Sequence, residues 1–71
     1  MEYISLRQGE TYIKLGQAIK KAGLVFEGSE ATYKITEGHV LVNGVVERRR
    51  GRKLYVGDSF TFQGKQVQIQ P

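Results

Sequence analysis

The chain has 71 residues, no cysteine and a formal net charge of +4 at neutral pH. A domain of that length buries about 60% of the surface its unfolded chain exposes, so one domain over residues 1–71 with one modest core is expected. Disulfides, thiolate chemistry and cysteine-bound metals are excluded. The first twenty residues carry Glu2, Arg7, Glu10, Lys14 and Lys20, so no signal peptide is expected, and no apolar run approaches a bilayer span; a cytoplasmic location follows as the expectation.

Met1 to Leu6 alternates in part, with Ile4 and Leu6 on one side and Tyr3 and Ser5 on the other, which predicts an edge strand. A first helix is predicted from about Tyr12 to Ala22. Leu15, Ala18, Ile19 and Ala22 recur at helical spacing and form one apolar stripe. Gly16 weakens this helix by roughly 1 kcal/mol relative to Ala, so it needs tertiary packing. Gly23 is its natural end. A second helix is predicted over about Gly28 to Glu37, with Ala31 and Ile35 inward, Ser29 or Glu27 as the N-cap, and Gly38 as the stop.

The remainder reads as β-structure. Val40-Leu41-Val42 precedes Asn43-Gly44, a strong hairpin signal, and then Val45-Val46. Leu54-Tyr55-Val56 leads to a turn at Gly57-Asp58. Phe60 and Phe62 share one face of the next strand, and Val67 and Ile69 share one face of the last. The fold class is therefore α+β, with two short helices packed on a small antiparallel sheet of four to five strands.

An inventory of reactive groups argues against catalysis. His39 is the only histidine and has no cysteine to partner it; at a helix–strand junction it reads as a turn or surface residue. The carboxylates form no dyad and no metal-ligand spacing, and no Gly-x-x-x-x-Gly-Lys loop is present. Neither a cofactor nor a small-molecule substrate is implied.

The charge is concentrated. Arg48-Arg49-Arg50-Gly51-Arg52-Lys53 places five cations in six positions. Such a run can be a solvated edge that discourages strand pairing. Guanidinium groups, however, suit bidentate phosphate recognition and stacking, and five close cations repel one another unless an anion relieves them. An anionic partner is expected. Lys14, Gln17 and Lys21 lie within roughly 60° of one another on a helical wheel and offer a second basic surface. Tyr33, opposite Ala31 and Ile35, is a candidate stacking platform for an unpaired base, as is Tyr55 unless it packs on the sheet.

The order of these features resembles the S4 RNA-binding domain. The resemblance rests on two short helices, then Glu37-Gly38-x-Val40-x-Val42-Asn43-Gly44, the basic run, and Gly57-Asp58. It covers about Ile13 to Phe62, flanked by terminal strands. The stretch from Arg49 to Asp58 is most similar to the small stand-alone bacterial members, the YaaA-like and YbcJ-like group. The resemblance implies a surface for structured RNA built from the two helices and the following loop. Lys14 falls where the family usually has an arginine, whereas Gln17 and Thr32 stand where basic residues are common, and Lys34 where an apolar residue is common. The second helix is accordingly expected to contribute less and the arginine run more.

The leading expectation is a non-enzymatic, monomeric protein that binds structured RNA, ribosomal RNA above all, through Lys14, Gln17, Lys21, Ser29, Tyr33, Arg48, Arg49, Arg50, Arg52 and Lys53. With about five phosphates neutralised, log K falls with log salt at a slope near −3.5 to −4.5. The competing class is a protein-interaction module that docks an acidic surface of a ribosome-associated protein. A basic patch alone does not separate RNA from DNA. Membrane-surface binding is disfavoured, because no bulky apolar helical face accompanies the cations.

Overall fold

The computed structural model describes all 71 residues, Met1–Pro71. Its elements follow the order β1 (Glu2–Ser5), β2 (Ile13–Lys14), α1 (Leu15–Lys21), α2 (Gly28–Thr36), β3 (Val40–Val42), β4 (Val45–Val46), β5 (Lys53–Leu54), β6 (Ser59–Phe62) and β7 (Lys65–Gln70). The apolar stripes meet between the helices and a five-stranded sheet. Leu15, Ala18 and Ile19 of α1 and Ala31 and Ile35 of α2 are fully buried, together with Val40, Phe60 and Val67 of the sheet. Register explains this layer: Val42 lies opposite Phe60, Val40 opposite Phe62, and Phe60 opposite Val67. Truncating a phenylalanine in such a core typically costs about 3–5 kcal/mol.

The first helix is shorter than its apolar spacing predicts. The opening amides of a helix lack intrahelical partners, and here those of Leu15 and Gly16 donate to the carbonyls of Arg52 (2.9 Å) and Arg50 (3.0 Å). The chain just before the helix is drawn alongside residues 52–54. Ile13 and Lys14 therefore form a strand, antiparallel to Leu54 and Lys53, and Lys14 has an extended backbone at the N-cap. Both helices end as expected at glycines with positive φ, Gly23 and Gly38. For α2 the N-cap is Glu27, without a side-chain cap, and Ser29 lies within the helix.

The sheet is mixed rather than antiparallel. Its order is β1-β7-β6-β3-β4, and β2-β5 form a separate pair. Within the larger sheet β1 runs parallel to β7, with Ile4 beside Ile69. This parallel pair needs a long connection, which the helices and the intervening strands supply. It places Ile4 on the same buried face as Ile69 and Val67. Two hairpins turn through paired positive-φ residues, Asn43-Gly44 and Gln63-Gly64, the backbone that type I′ turns require. At the opposite edge, Val45 and Val46 of β4 are exposed.

Candidate nucleic-acid interface

The arginine run occupies the connection between β4 and β5, and both of its ends are fixed. At the first end, the Glu47 amide donates to the Val40 carbonyl at 3.0 Å. Beyond the second, the Tyr55–Asp58 turn is tied back to the β3–β4 hairpin. There the Asn43 side-chain amide donates to Asp58 Oδ1 at 3.1 Å, and Asn43 Oδ1 accepts from the Ser59 amide at 3.0 Å. The other Asp58 oxygen accepts from the Tyr55 amide at 2.8 Å. The loop is thus held on a rigid support.

Within the loop the five cations divide by what they touch. The repulsion expected among them is relieved in part internally, by Glu47, which pairs with Arg49 and Arg52. This carboxylate is almost wholly buried and accepts from Arg49 Nε at 2.9 Å, Arg49 Nη2 at 3.1 Å, the Arg49 amide at 3.1 Å and Arg52 Nη1 at 2.9 Å. The Arg49 hydrogen bonds, aided by those of Arg52 and opposed by burial, lower its pKa from 4.5 to about 2. The Arg49 guanidinium is correspondingly held above its ordinary value. Glu47 orients these two arginines without enclosing them, since 73% of the Arg49 side chain stays exposed. Arg48 has a different task. Its Nη1 donates to the Thr36 carbonyl at 2.9 Å, covering the C-terminal end of α2, where a cation also complements the helix dipole. Lys53 Nζ lies 4.8 Å from the centre of the Tyr12 ring.

Arg50 is the remaining arginine, and its side chain makes no hydrogen bond or ion pair within the protein. It lines a polar groove with Lys14, Gln17, Ser29, Thr32 and Gly51, where the starts of α1 and α2 meet the loop. A Cβ added at Gly16 would stand 3.7 Å from Arg50, an ordinary van der Waals contact, so the wall of the groove has room for alanine there. The groove gathers four of the residues singled out from sequence: Lys14, Gln17, Ser29 and Arg50. It adds Thr32, which stands where a basic residue is common in the family and whose hydroxyl donates to the Gly28 carbonyl at 3.0 Å.

The other sequence candidates lie elsewhere. The second basic surface is not continuous: Lys21 turns away from Arg50 and donates to the Ser5 carbonyl, in a separate depression with Arg7, Glu10 and Lys20 that Gln17 also borders. Tyr33 is exposed on α2 but does not line the groove. Arg49, Arg52 and Lys53 border a neighbouring depression with Tyr55, and Gly51 is common to both. Sequence reasoning missed Glu47; the signal available was a lone acid directly preceding the basic run.

The family model for the S4 domain matches residues 2–70. The chain belongs to the S4 domain family. This S4 protein is 46% identical over 52 residues to "Probable ribosome maturation protein RlbA" of Bacillus subtilis, an alignment covering 73% of each chain. It is 34% identical over 58 residues to YbcJ of Escherichia coli, covering 82% of this chain and 83% of that protein. The solution structure of YbcJ, described as revealing an alfaL motif involved in RNA binding, superposes with a TM-score of 0.73. That match spans 100% of the S4 protein and 89% of YbcJ at 32% identity. The α+β architecture of helices on a mixed sheet is therefore that of small stand-alone S4 proteins.

Proposed function

We propose that this S4 protein binds structured RNA, with ribosomal RNA in the ribosome or an assembly intermediate as its target, through the groove between the starts of its two helices and the arginine loop. The observation that carries this reading is Arg50, a guanidinium without a protein partner beside Lys14 and the hydroxyls of Ser29 and Thr32. Free guanidinium and ammonium groups bind phosphate strongly, and a side-chain amide such as that of Gln17 adds a directional contact to backbone oxygens. A rigid groove of this kind selects RNA by shape and backbone path. The family supports RNA as the ligand class, and the name of the Bacillus relative supports a ribosomal setting. The protein acts as a cytoplasmic monomer without cofactor or catalytic step; its arginine loop, positioned by Glu47, presents the charge.

Binding of ribosomal RNA fragments, measured by fluorescence anisotropy, tests the proposal. Lys14→Ala with Arg50→Ala weakens association at least tenfold while the circular dichroism spectrum and unfolding midpoint remain those of the parent. A folded double variant with parental affinity for every fragment removes this groove as the binding site.

A further inference from the structure

Beside the groove lies a second, chemically different surface. Tyr55 follows the last residue of β5; its neighbour Leu54 is fully buried, whereas about half of Tyr55 is open to solvent. Its ring is supported rather than covered. The Tyr12 ring lies 6.0 Å away at 52°, and Lys53 Nζ sits over Tyr12 on that side. Arg49 and Arg52 complete the rim, both oriented by Glu47. The Asp58 carboxylate accepts from the Tyr55 amide and the Asn43 side chain. A half-exposed aromatic ring sharing a depression with Arg49, Arg52 and Lys53 suits a planar group attached to a phosphate.

We propose that Tyr55 is the stacking platform for one unpaired nucleobase of the bound RNA. Its neighbour Lys53 holds the adjoining phosphate, and Arg49 and Arg52, whose charge Glu47 offsets in part, frame the depression around the ring. Gly51 borders both this depression and the Arg50 groove, so a strand leaving the groove passes over a residue without a side chain and reaches the ring. Stacking on an aromatic face is tolerant of base identity. The ligand class is therefore a paired RNA element with an unpaired nucleotide at its margin, such as a bulge, a loop or an overhang. This rests on the RNA-binding reading given above and specifies it further.

The test compares two RNA hairpins with the same stem, one blunt and one with a short overhang carrying 2-aminopurine. The parent protein binds the overhang hairpin more tightly than the blunt one and quenches 2-aminopurine fluorescence. Tyr55→Ala lowers affinity for the overhang hairpin roughly tenfold, a typical value for one stacked base, abolishes the quenching and leaves blunt-hairpin affinity unchanged. Tyr55→Phe retains both parental properties. Tyr55→Leu keeps the apolar contact with Tyr12 and loses the preference, which gives the same reading should the alanine variant fail to fold. If Tyr55→Ala and Tyr55→Leu keep the parental preference while Arg50→Ala loses binding, the platform is overturned and the groove stands. If the parent binds neither hairpin nor ribosomal RNA fragments, both readings fall.

Discussion

Glu47 holds Arg49 through both of its carboxylate oxygens, at 2.9 and 3.1 Å, and the same carboxylate reaches Arg52 at 2.9 Å. A single buried acid thus sets the position of two guanidinium groups. The pairing also carries a pH signature. The folded-state pKa of Glu47 is lowered to about 2 from 4.5, so the unfolded chain takes up a proton before the folded one does. The resulting stability is fully present above the unfolded value and is lost as pH falls from about 4.5 through 2. Urea midpoints measured across that range decline with acidification in the parent. In Glu47→Gln the decline is shallower, and the variant starts about 1–3 kcal/mol less stable at neutral pH, the usual scale for hydrogen bonds to charged groups.

Arg48 and Arg50 are two residues apart and have separate consequences. Arg48 serves the end of α2, so Arg48→Ala is expected to lower stability by about 0.5–1.5 kcal/mol and to change RNA affinity little. Gly38 lies beneath the same guanidinium at φ +84°, where an added side chain would stand 2.8 Å from Arg48 Nη2. Gly38→Ala is expected to cost about 1–2 kcal/mol through its left-handed backbone and to displace Arg48. Chemical denaturation checks both values. Equal affinity losses in Arg48→Ala and Arg50→Ala would contradict this division of labour.

The division also alters the expected salt dependence. Lys14, Arg50 and Lys53 carry charge that no carboxylate in the protein offsets, whereas Arg49 and Arg52 share Glu47. With about three phosphates neutralised, log K against log salt has a slope of about −2 to −3. A titration between low and physiological salt separates this from the steeper value expected if all five cations of the run acted alike.

Asn43 and Asp58 join two turns that are fifteen residues apart. Asn43 also adopts φ +50°, which asparagine tolerates better than most residues. Asn43→Ala therefore loses both backbone compatibility and two hydrogen bonds, for an expected cost of about 2–3 kcal/mol. A double-mutant cycle with Asp58→Ala is expected to give a coupling energy of about 0.5–2 kcal/mol. Additive losses in denaturation experiments would show that the turns act independently.

Much of this fold is legible in residue patterns because its core is binary. The 3.6-residue spacing of Leu15, Ala18 and Ile19 and the alternation of Phe60 and Phe62 each place side chains inside that are fully buried or nearly so. Asn43-Gly44 and the helix-ending glycines are legible because their backbone geometry restricts residue choice. The misread portions depend on distant partners. Ile13 and Lys14 continue a helical pattern but extend because residues 50–54 lie beside them. The parallel alignment of β1 with β7 is not legible because alternation is the same for either strand direction. The site follows this rule too. The charge of the arginine run is visible in sequence, whereas its division among Glu47, Thr36 and the open groove is a property of the folded loop.

The parallel pairing of β1 with β7 has a consequence for how the molecule is made. β7 lies between β1 and β6, so the first strand of the domain has no neighbour until the last one exists. Closing so long a loop is entropically costly and slow compared with forming the local hairpins. While residues 65–70 are still inside the synthesising machinery, Ile4 has no buried place to occupy. Completion of the sheet therefore awaits their release.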